Sequence, residues 1–303
     1  MWAPSLQVNV ILNFIRTTMA DKKILFTGLP LTGKTTFIAA LWYMLYNHKN
    51  DSKLKLGPLT GTDDEYLNEM SNAWMQYEDV PRTSRYKLAG ENVSITTVNV
   101  ESGSTVVLDI PDFSGETFKD HYDQRVWTED FYNRIQDTNS IMLFVSPRQR
   151  NNRPKLIVME QDLLRHMGAK VPEKVIDFTE YDPEYTPNQV KIVDELQFFR
   201  KFAKWRWPIK IALMISAWDM IQVAPNTTTN PEEWLKYHIP LLYQYLKCNG
   251  DLFEIKYYGI SAQGGNYKNK DKIADLNPMD RIQLQEGNVY LNDITDPILW
   301  LSE

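Results

Sequence analysis

Residues Lys22 to Thr36 read KKILFTGLPLTGKTT. An apolar run of strand type ends at a glycine, a loop follows, and a helical pattern over 35–48 begins at once. Gly28-Leu29-Pro30-Leu31-Thr32-Gly33-Lys34-Thr35 satisfies G-x-x-x-x-G-K-[ST], and strand–loop–helix is the context that gives the pattern meaning. The chemistry explains the spacing. Such a loop wraps an anion in backbone N–H groups, its glycines let the chain approach closely, and the helix turns its positive dipole end to a phosphate. Lys34 is expected at the β- and γ-phosphates and Thr35 at Mg²⁺, with Thr36 completing the loop. A bare glycine turn with an exposed lysine is the alternative, and the flanking elements argue against it. The motif does not choose between ATP and GTP.

Outward from this stretch, 35–48 reads as a helix apolar on nearly every side and 63–79 as a second helix. Two β-rich runs, 91–100 and 104–110, flank the turn Glu101-Ser102-Gly103 and form a hairpin. Further strands are read at 140–147, 209–216 and 252–261, with helices at 156–168, 190–206 and 231–248. This order predicts an α/β P-loop fold: a mostly parallel central sheet with one antiparallel edge strand and helices on both faces. Residues 148–189 are polar, proline-bearing and poorly periodic, and read as an insertion that contacts partners. The expected organisation is an N-terminal extension over 1–21 and one domain over 22–303. Met19, just before the first strand, is a natural start.

Composition narrows the function classes. The net charge of −6 comes from acids and bases interleaved along the chain, with no basic block to track nucleic acid or an anionic membrane. No stretch reaches the roughly 18 uninterrupted apolar residues of a membrane helix. Cys248 stands alone, which removes internal disulfides and cysteine-based zinc sites and points to the cytoplasm. His48, His121, His166 and His238 show no metal-ligand spacing.

A phosphate loop needs an acidic residue near a strand end to hold Mg²⁺ directly or through water. VVLDIPDFSGE offers Asp109 and Asp112. Asp112-Phe113-Ser114-Gly115 fits D-x-x-G, where the glycine N–H meets the γ-phosphate; Asp112 is chosen, with Asp109 the competitor. Glu116 follows, where a water-orienting glutamine often stands, and a carboxylate there would either accept a proton from water or repel the phosphate. In EDVPRTSRY, Thr83 is the candidate that closes on Mg²⁺ and the γ-phosphate. Arg82 beside it could supply transition-state charge, an effect on the order of 10³–10⁵ in rate where such arginines act.

IALMISAWD ends a strand with Ser216-Ala217-Trp218-Asp219. An aspartate accepts two hydrogen bonds from the N1 and N2 groups of guanine, a donor pair that adenine lacks. The usual sequence here is N-K-x-D, and only Asp219 of it remains. Ser261-Ala262-Gln263, after the last predicted strand, falls where an S-A-K loop presents its backbone to guanine O6. Together these favour GTP.

The pieces GLPLTGKTT (28–36), VPRTSRY (80–86), DFSGETF (112–118) and ISAWD (215–219), closed by SAQ (261–263), stand in a series that resembles the double-GTPase proteins. These are bacterial Ras-like P-loop GTPases of multi-gene conflict systems. The resemblance spans Lys22 to Gln263 and implies a Ras-like domain that binds GTP or GDP with Mg²⁺. It also implies GTP hydrolysis and protein partners from the same system, in an antiviral defence role. A nucleotide-bound scaffold that does not hydrolyse, and a P-loop ATPase or kinase, remain the rival readings.

Overall fold

A computed structural model describes residues 22–47, 52–58, 64–80, 93–111, 116–147, 165–168, 183, 186–222, 230–265, 273 and 275–303. The strands are β1 (Lys22–Thr27), β2 (Leu54–Leu56), β3 (Val93–Asn99), β4 (Thr105–Ile110), β5 (Ser140–Val145), β6 (Ile209–Ser216), β7 (Phe253–Ser261), β8 (Gln283–Glu286) and β9 (Val289–Leu291). The helices are α1 (Lys34–Asn47), α2 (Asp64–Met75), α3 (Glu116–Gln124), α4 (Glu129–Ile135), α5 (Asn188–Phe202), α6 (Trp218–Gln222), α7 (Pro231–His238), α8 (Pro240–Cys248) and α9 (Asp296–Ser302). The N-terminal extension and most of 148–189 lie outside the described residues.

The strands form one mixed sheet in the order β2-β3-β4-β1-β5-β6-β7-β8-β9. Its centre, β4-β1-β5-β6-β7, is parallel throughout. Antiparallel pairs flank it on both sides: β2 with β3 and β3 with β4 at one end, β7 with β8 and β8 with β9 at the other. The expectation of a single antiparallel edge strand is therefore corrected. β8 (QLQE) is too polar to show an apolar run, and β9 (VYL) and β2 are only three residues long. Their strand state comes from pairing with β7 and β3, a long-range effect that local pattern does not carry.

Burial follows strand position. Every residue of β5 is buried, as a central parallel strand covered on both faces requires. β3, at the flank, begins with alternating buried and half-buried residues. In β1, Ile24 and Phe26 point to one face and Leu25 to the other. On the first face α1, α2 and α9 bring Phe37, Trp42, Trp74 and Ile298 against Met142 and Phe144. On the second, α4, α5, α7 and α8 bring Phe131, Phe199, Leu235 and Leu242 against Leu143, Val145 and Leu213. Each such side chain, fully buried, contributes roughly 1.5–3 kcal/mol.

The helix predicted over 231–248 is two. Asn230 caps α7 by accepting from the N–H groups of Glu232 and Glu233 at 3.0 and 3.2 Å. Ile239 then leaves helical geometry, at φ −132° and ψ 58°. Pro240 has no N–H to continue the ladder and begins α8.

The parallel strands β1, β5, β6 and β7 all end at the same edge of the sheet, at Thr27, Val145, Ser216 and Ser261. In an open α/β sheet the crevice beyond the carboxyl ends of the strands is where a ligand fits.

Candidate functional site

The loop after β1 holds a conformation that glycine makes possible. Gly28 sits at φ +146°, and a Cβ there would lie 2.6 Å from the Phe144 carbonyl oxygen. Gly33 sits at φ +84°, and its Cβ would lie 2.9 Å from Ser216 Cβ. The second glycine therefore lets the loop touch the end of β6, which joins the phosphate motif to the base motif. Thr32 braces the turn by donating its hydroxyl to the Leu29 carbonyl at 2.8 Å. Leu31, at φ +64°, is the exposed apex, and Pro30 precedes it.

Lys34 is the first residue of α1 and its side chain is buried. Its ammonium donates to the carbonyls of Gly28 at 2.5 Å and Leu29 at 3.2 Å. The cation is thus held inside the loop that it closes. Thr35 and Thr36 follow on the first turn of α1, half-buried, where the positive end of the helix faces the loop. A hydroxyl and carboxylate oxygens are hard donors of the kind Mg²⁺ takes, so Thr35 fits a magnesium ligand in type.

A cleft opens from Gly33 and Thr36 to Ser216, Asp219 and Gln263. At its far end the two base motifs meet. Ser261 donates its hydroxyl to Asp219 Oδ1 at 2.5 Å, across 42 residues of chain. The same Ser261 oxygen accepts the N–H of Gly264 at 3.1 Å. Ala217 takes φ +50° between β6 and α6 and also lines the cleft. Trp218 turns the other way. It is fully buried, packs so closely on Gly259 that a Cβ there would lie 2.4 Å from its ring, and donates to Gln285 at 2.8 Å. Its indole belongs to the core rather than to the cleft, because α6 places Trp218 and Asp219 on different sides.

Asp109 is committed elsewhere. It is buried and accepts from Arg134 Nε at 2.7 Å, with Lys23 Nζ at 3.3 Å and the Ser94 hydroxyl at 3.3 Å. Two cations on one buried carboxylate make it a tie between β1, β3, β4 and α4. Asp112, Gly115, Thr83 and Arg82 lie outside the described residues. Glu116 begins α3, and its side chain also lies outside them.

Sequence reading missed the supports behind the pocket. Trp74 Nε1 donates to the Ala262 carbonyl at 2.8 Å. The buried guanidinium of Arg281 donates to the Met75 carbonyl at 2.7 Å and lies over the rings of Trp74 and Tyr77. Burial pulls the Arg281 pKa below its ordinary value. Burial, and then the charge of Asp219, push the Tyr77 pKa up. A second missed feature ties α3 to α5: His121 Nδ1 lies 3.2 Å from Glu195 Oε1, both buried. Burial raises the Glu195 pKa, and His121 opposes the rise. No short-range pattern links these partners, since each contact joins distant segments.

Among the described residues no group of three or more His, Cys, Asp or Glu is placed to hold a metal ion. No described helix is long and apolar enough to cross a membrane.

Comparison with solved structures returns the GTPase-like domain of Ski7 from S. cerevisiae. In its GTP-bound form it shares 17% identity over 88% of this chain and 48% of that one, with a TM-score of 0.43. The form bound to GDP and inorganic phosphate gives 17% identity, 86% and 47% coverage, and 0.42. A bacterial selenocysteine-specific elongation factor, EF-Sec, gives 13% identity over 84% of this chain and 28% of that one, at 0.33. The chain thus spans about half or less of each of these structures. No curated protein matches it. The family described as Double-GTPase 1 matches residues 25–301, and the chain belongs to that family.

Proposed function

We propose that the chain binds GTP with Mg²⁺ and hydrolyses it slowly, as a switch whose nucleotide state is read by protein partners of the same gene system. The observation that carries this is the hydrogen bond between Ser261 and Asp219 at the end of a cleft that begins at Gly33. In this reading Asp219 selects guanine at one end of the cleft, and the loop that carries Lys34 holds the phosphates at the other.

Lys34 neutralises charge on the β- and γ-phosphates, and the N–H groups of Leu31 to Thr35 cradle the oxygens. Thr35, Asp112 and Thr83 would hold Mg²⁺, which would supply further charge neutralisation. Gly115 and Thr83 are assigned to sensing the γ-phosphate, Glu116 to acting on the attacking water, and Arg82 to supplying charge from within the chain. Residues 148–189 carry the partner contacts in this reading, in a cytoplasmic protein that needs neither membrane nor nucleic acid.

The second reading is a nucleotide-bound scaffold that does not hydrolyse, favoured by Glu116 where a glutamine would orient water. One experiment separates them. Nucleotide released by denaturing the purified chain is identified, and melting shifts are measured with GTP, GDP and ATP in the presence of Mg²⁺. A shift with ATP and none with guanine nucleotides defeats the guanine assignment. Phosphate release by the wild type, abolished in Lys34→Ala and Asp112→Ala, supports the enzyme; binding without any release supports the scaffold.

A further inference from the structure

Residues 200–207 read RKFAKWRW, four cations and three aromatic rings in a chain whose net charge is −6. They close α5 and lead into β6 at Ile209, at the opposite end of that strand from Ser216 and the cleft. Arg200, Lys201, Lys204 and Arg206 are all exposed, and among the described residues none of them forms an ion pair. Lys53, Lys119, Lys247 and Lys256, by contrast, each hold a carboxylate, at 2.8, 2.6, 2.7 and 2.9 Å. The helix dipole accounts for cations in the last turn of α5, at Arg200 and Lys201. It does not account for Lys204 and Arg206, which stand beyond the helix end.

Apolar surface adjoins this charge. Phe202 is 42% exposed, and its ring lies 5.5 Å from Phe198 and 6.0 Å from Trp127, both half-buried. Val126, next to Trp127 in the chain, is 61% exposed. Lys201 Nζ lies 5.0 Å from the Phe202 ring centroid, so a cation and a ring are presented together. Asp194 of the same helix is engaged by Arg125, and Glu129 and Asp130 sit in the first turn of α4, where its positive end meets their charge. Arg200 lies near Tyr245 of α8, which leaves Lys201, Lys204 and Arg206 as the cations beside Phe202.

The backbone beneath them is fixed. The Ala203 N–H donates to the Phe199 carbonyl at 3.0 Å, and the Lys204 N–H to Gln136 Oε1 at 2.9 Å. Trp205 is buried and donates its indole N–H to the Ile135 carbonyl at 2.6 Å. A surface already ordered loses less entropy on binding.

Nucleic acid and anionic membranes are extended polyanions, and a chain of net charge −6 opposes their approach at long range. A short acidic segment brings little more charge than these cations neutralise. We propose that Lys201, Phe202, Lys204 and Arg206 form a docking surface for an acidic segment of a partner protein. Carboxylates of the segment rest on the three cations, and one of its apolar side chains packs on Phe202. The surface is separate from the nucleotide cleft, so the inference stands whichever nucleotide is bound.

The test presents the full chain with a displayed library of short random-sequence peptides. Selected sequences should be rich in Asp and Glu around a leucine or an aromatic residue. Their affinities, read by fluorescence anisotropy on synthetic copies, should weaken as salt is raised. They should also fall at least about fivefold in Lys201→Glu/Lys204→Glu and in Phe202→Ser. Lys236→Glu, at an exposed lysine of α7, should leave them at wild-type values. Selection of sequences without acids, affinities indifferent to salt, or equal affinities for the wild type and both strip variants overturn the inference. The salt series is read on the wild type alone, so it holds even for a variant that folds poorly. Single-stranded DNA or phosphatidylserine vesicles that bind the wild type more tightly than the peptides, and bind the strip variants less, overturn the protein assignment. Self-association of the wild type that the strip variants lose makes the occupant a second copy and overturns it as well.

Discussion

Ser261 and Asp219 share a hydrogen bond of 2.5 Å that joins the end of β7 to α6, the helix that follows the neighbouring parallel strand β6. The serine O–H takes one lone pair of Oδ1 and orients the carboxylate, while its own oxygen receives the Gly264 N–H. A carboxylate fixed from behind loses less entropy when it engages a base.

Removing this support should weaken the base site without unfolding the chain. Hydrogen bonds to charged groups contribute about 1.5–3 kcal/mol, so Ser261→Ala should lower GDP affinity by roughly tenfold or more. Asp219→Asn replaces an acceptor by a donor facing position 2 of the purine. Preference should then move from guanine towards xanthine nucleotides, whose C2 carbonyl accepts. Titration calorimetry with GDP and xanthosine diphosphate checks both; an Asp219→Asn protein that still prefers GDP removes Asp219 from the base contact.

Gly33 tests the junction between phosphate loop and base end. An alanine there must adopt φ +84° and place its Cβ 2.9 Å from Ser216 Cβ. Strain of this type costs on the order of 1–3 kcal/mol. Gly33→Ala should lower the urea midpoint and lose nucleotide binding, whereas Gly287→Ala, at φ +57° with nothing within 4 Å of its Cβ, should lose stability alone.

Gly259 has a different reason to be glycine. Its Cβ would lie 2.4 Å from the ring of Trp218, a residue with no exposed surface. Overpacking of this sort costs about 1–3 kcal/mol. Gly259→Ala should lower the melting temperature, and Gly259→Ala with Trp218→Leu should recover part of it. A single variant as stable as wild type would show that α6 is free to move.

The Asp109 cluster predicts a stability defect separate from the metal. Arg134→Met leaves a buried carboxylate with Lys23 as its remaining cation, so the loss should fall short of the roughly 3–5 kcal/mol of an uncompensated buried charge. Denaturation midpoints should fall accordingly. Asp109→Asn should keep Mg²⁺-dependent nucleotide binding, since both of its oxygens face Lys23, Arg134 and Ser94. Loss of that dependence would return the metal role to Asp109.

His121 and Glu195 predict a pH effect. Burial raises the folded pKa of Glu195 above its ordinary value of 4.5. Stability linked to a raised pKa is fully present below the unfolded value and is lost as pH rises through the folded one. Wild type and Glu195→Gln should therefore differ little below pH 4.5, and the variant should gain relative stability as pH rises above it. Urea midpoints across that range decide it, and parallel profiles would mean that the carboxylate ionises in the fold without cost.

The loop at one end of the candidate site was legible in local sequence because a strand–turn–helix is a local device. KKILFTGLPLTGKTT codes its own strand, turn and helix, and the backbone conformations at Gly28 and Gly33 follow from residue type. Long apolar runs likewise announced β5, β6 and β7. The short strands β2, β8 and β9 were not legible, since their state is set by partners rather than by their own residues. Nor was the choice between neighbours in SAWD: a carboxylate and an indole stand side by side, and only packing on Gly259 sends Trp218 inward and leaves Asp219 at the cleft. The same limit hid the buried amide of Gln263 and the ties of Asp109, because burial and pairing are properties of segments brought together. Sequence alone determined that a glycine-bearing strand–loop–helix opens an α/β domain. The tertiary structure decided which side chains share its cleft, because hydrogen bonds such as Ser261 to Asp219 exist only once β6 and β7 lie side by side.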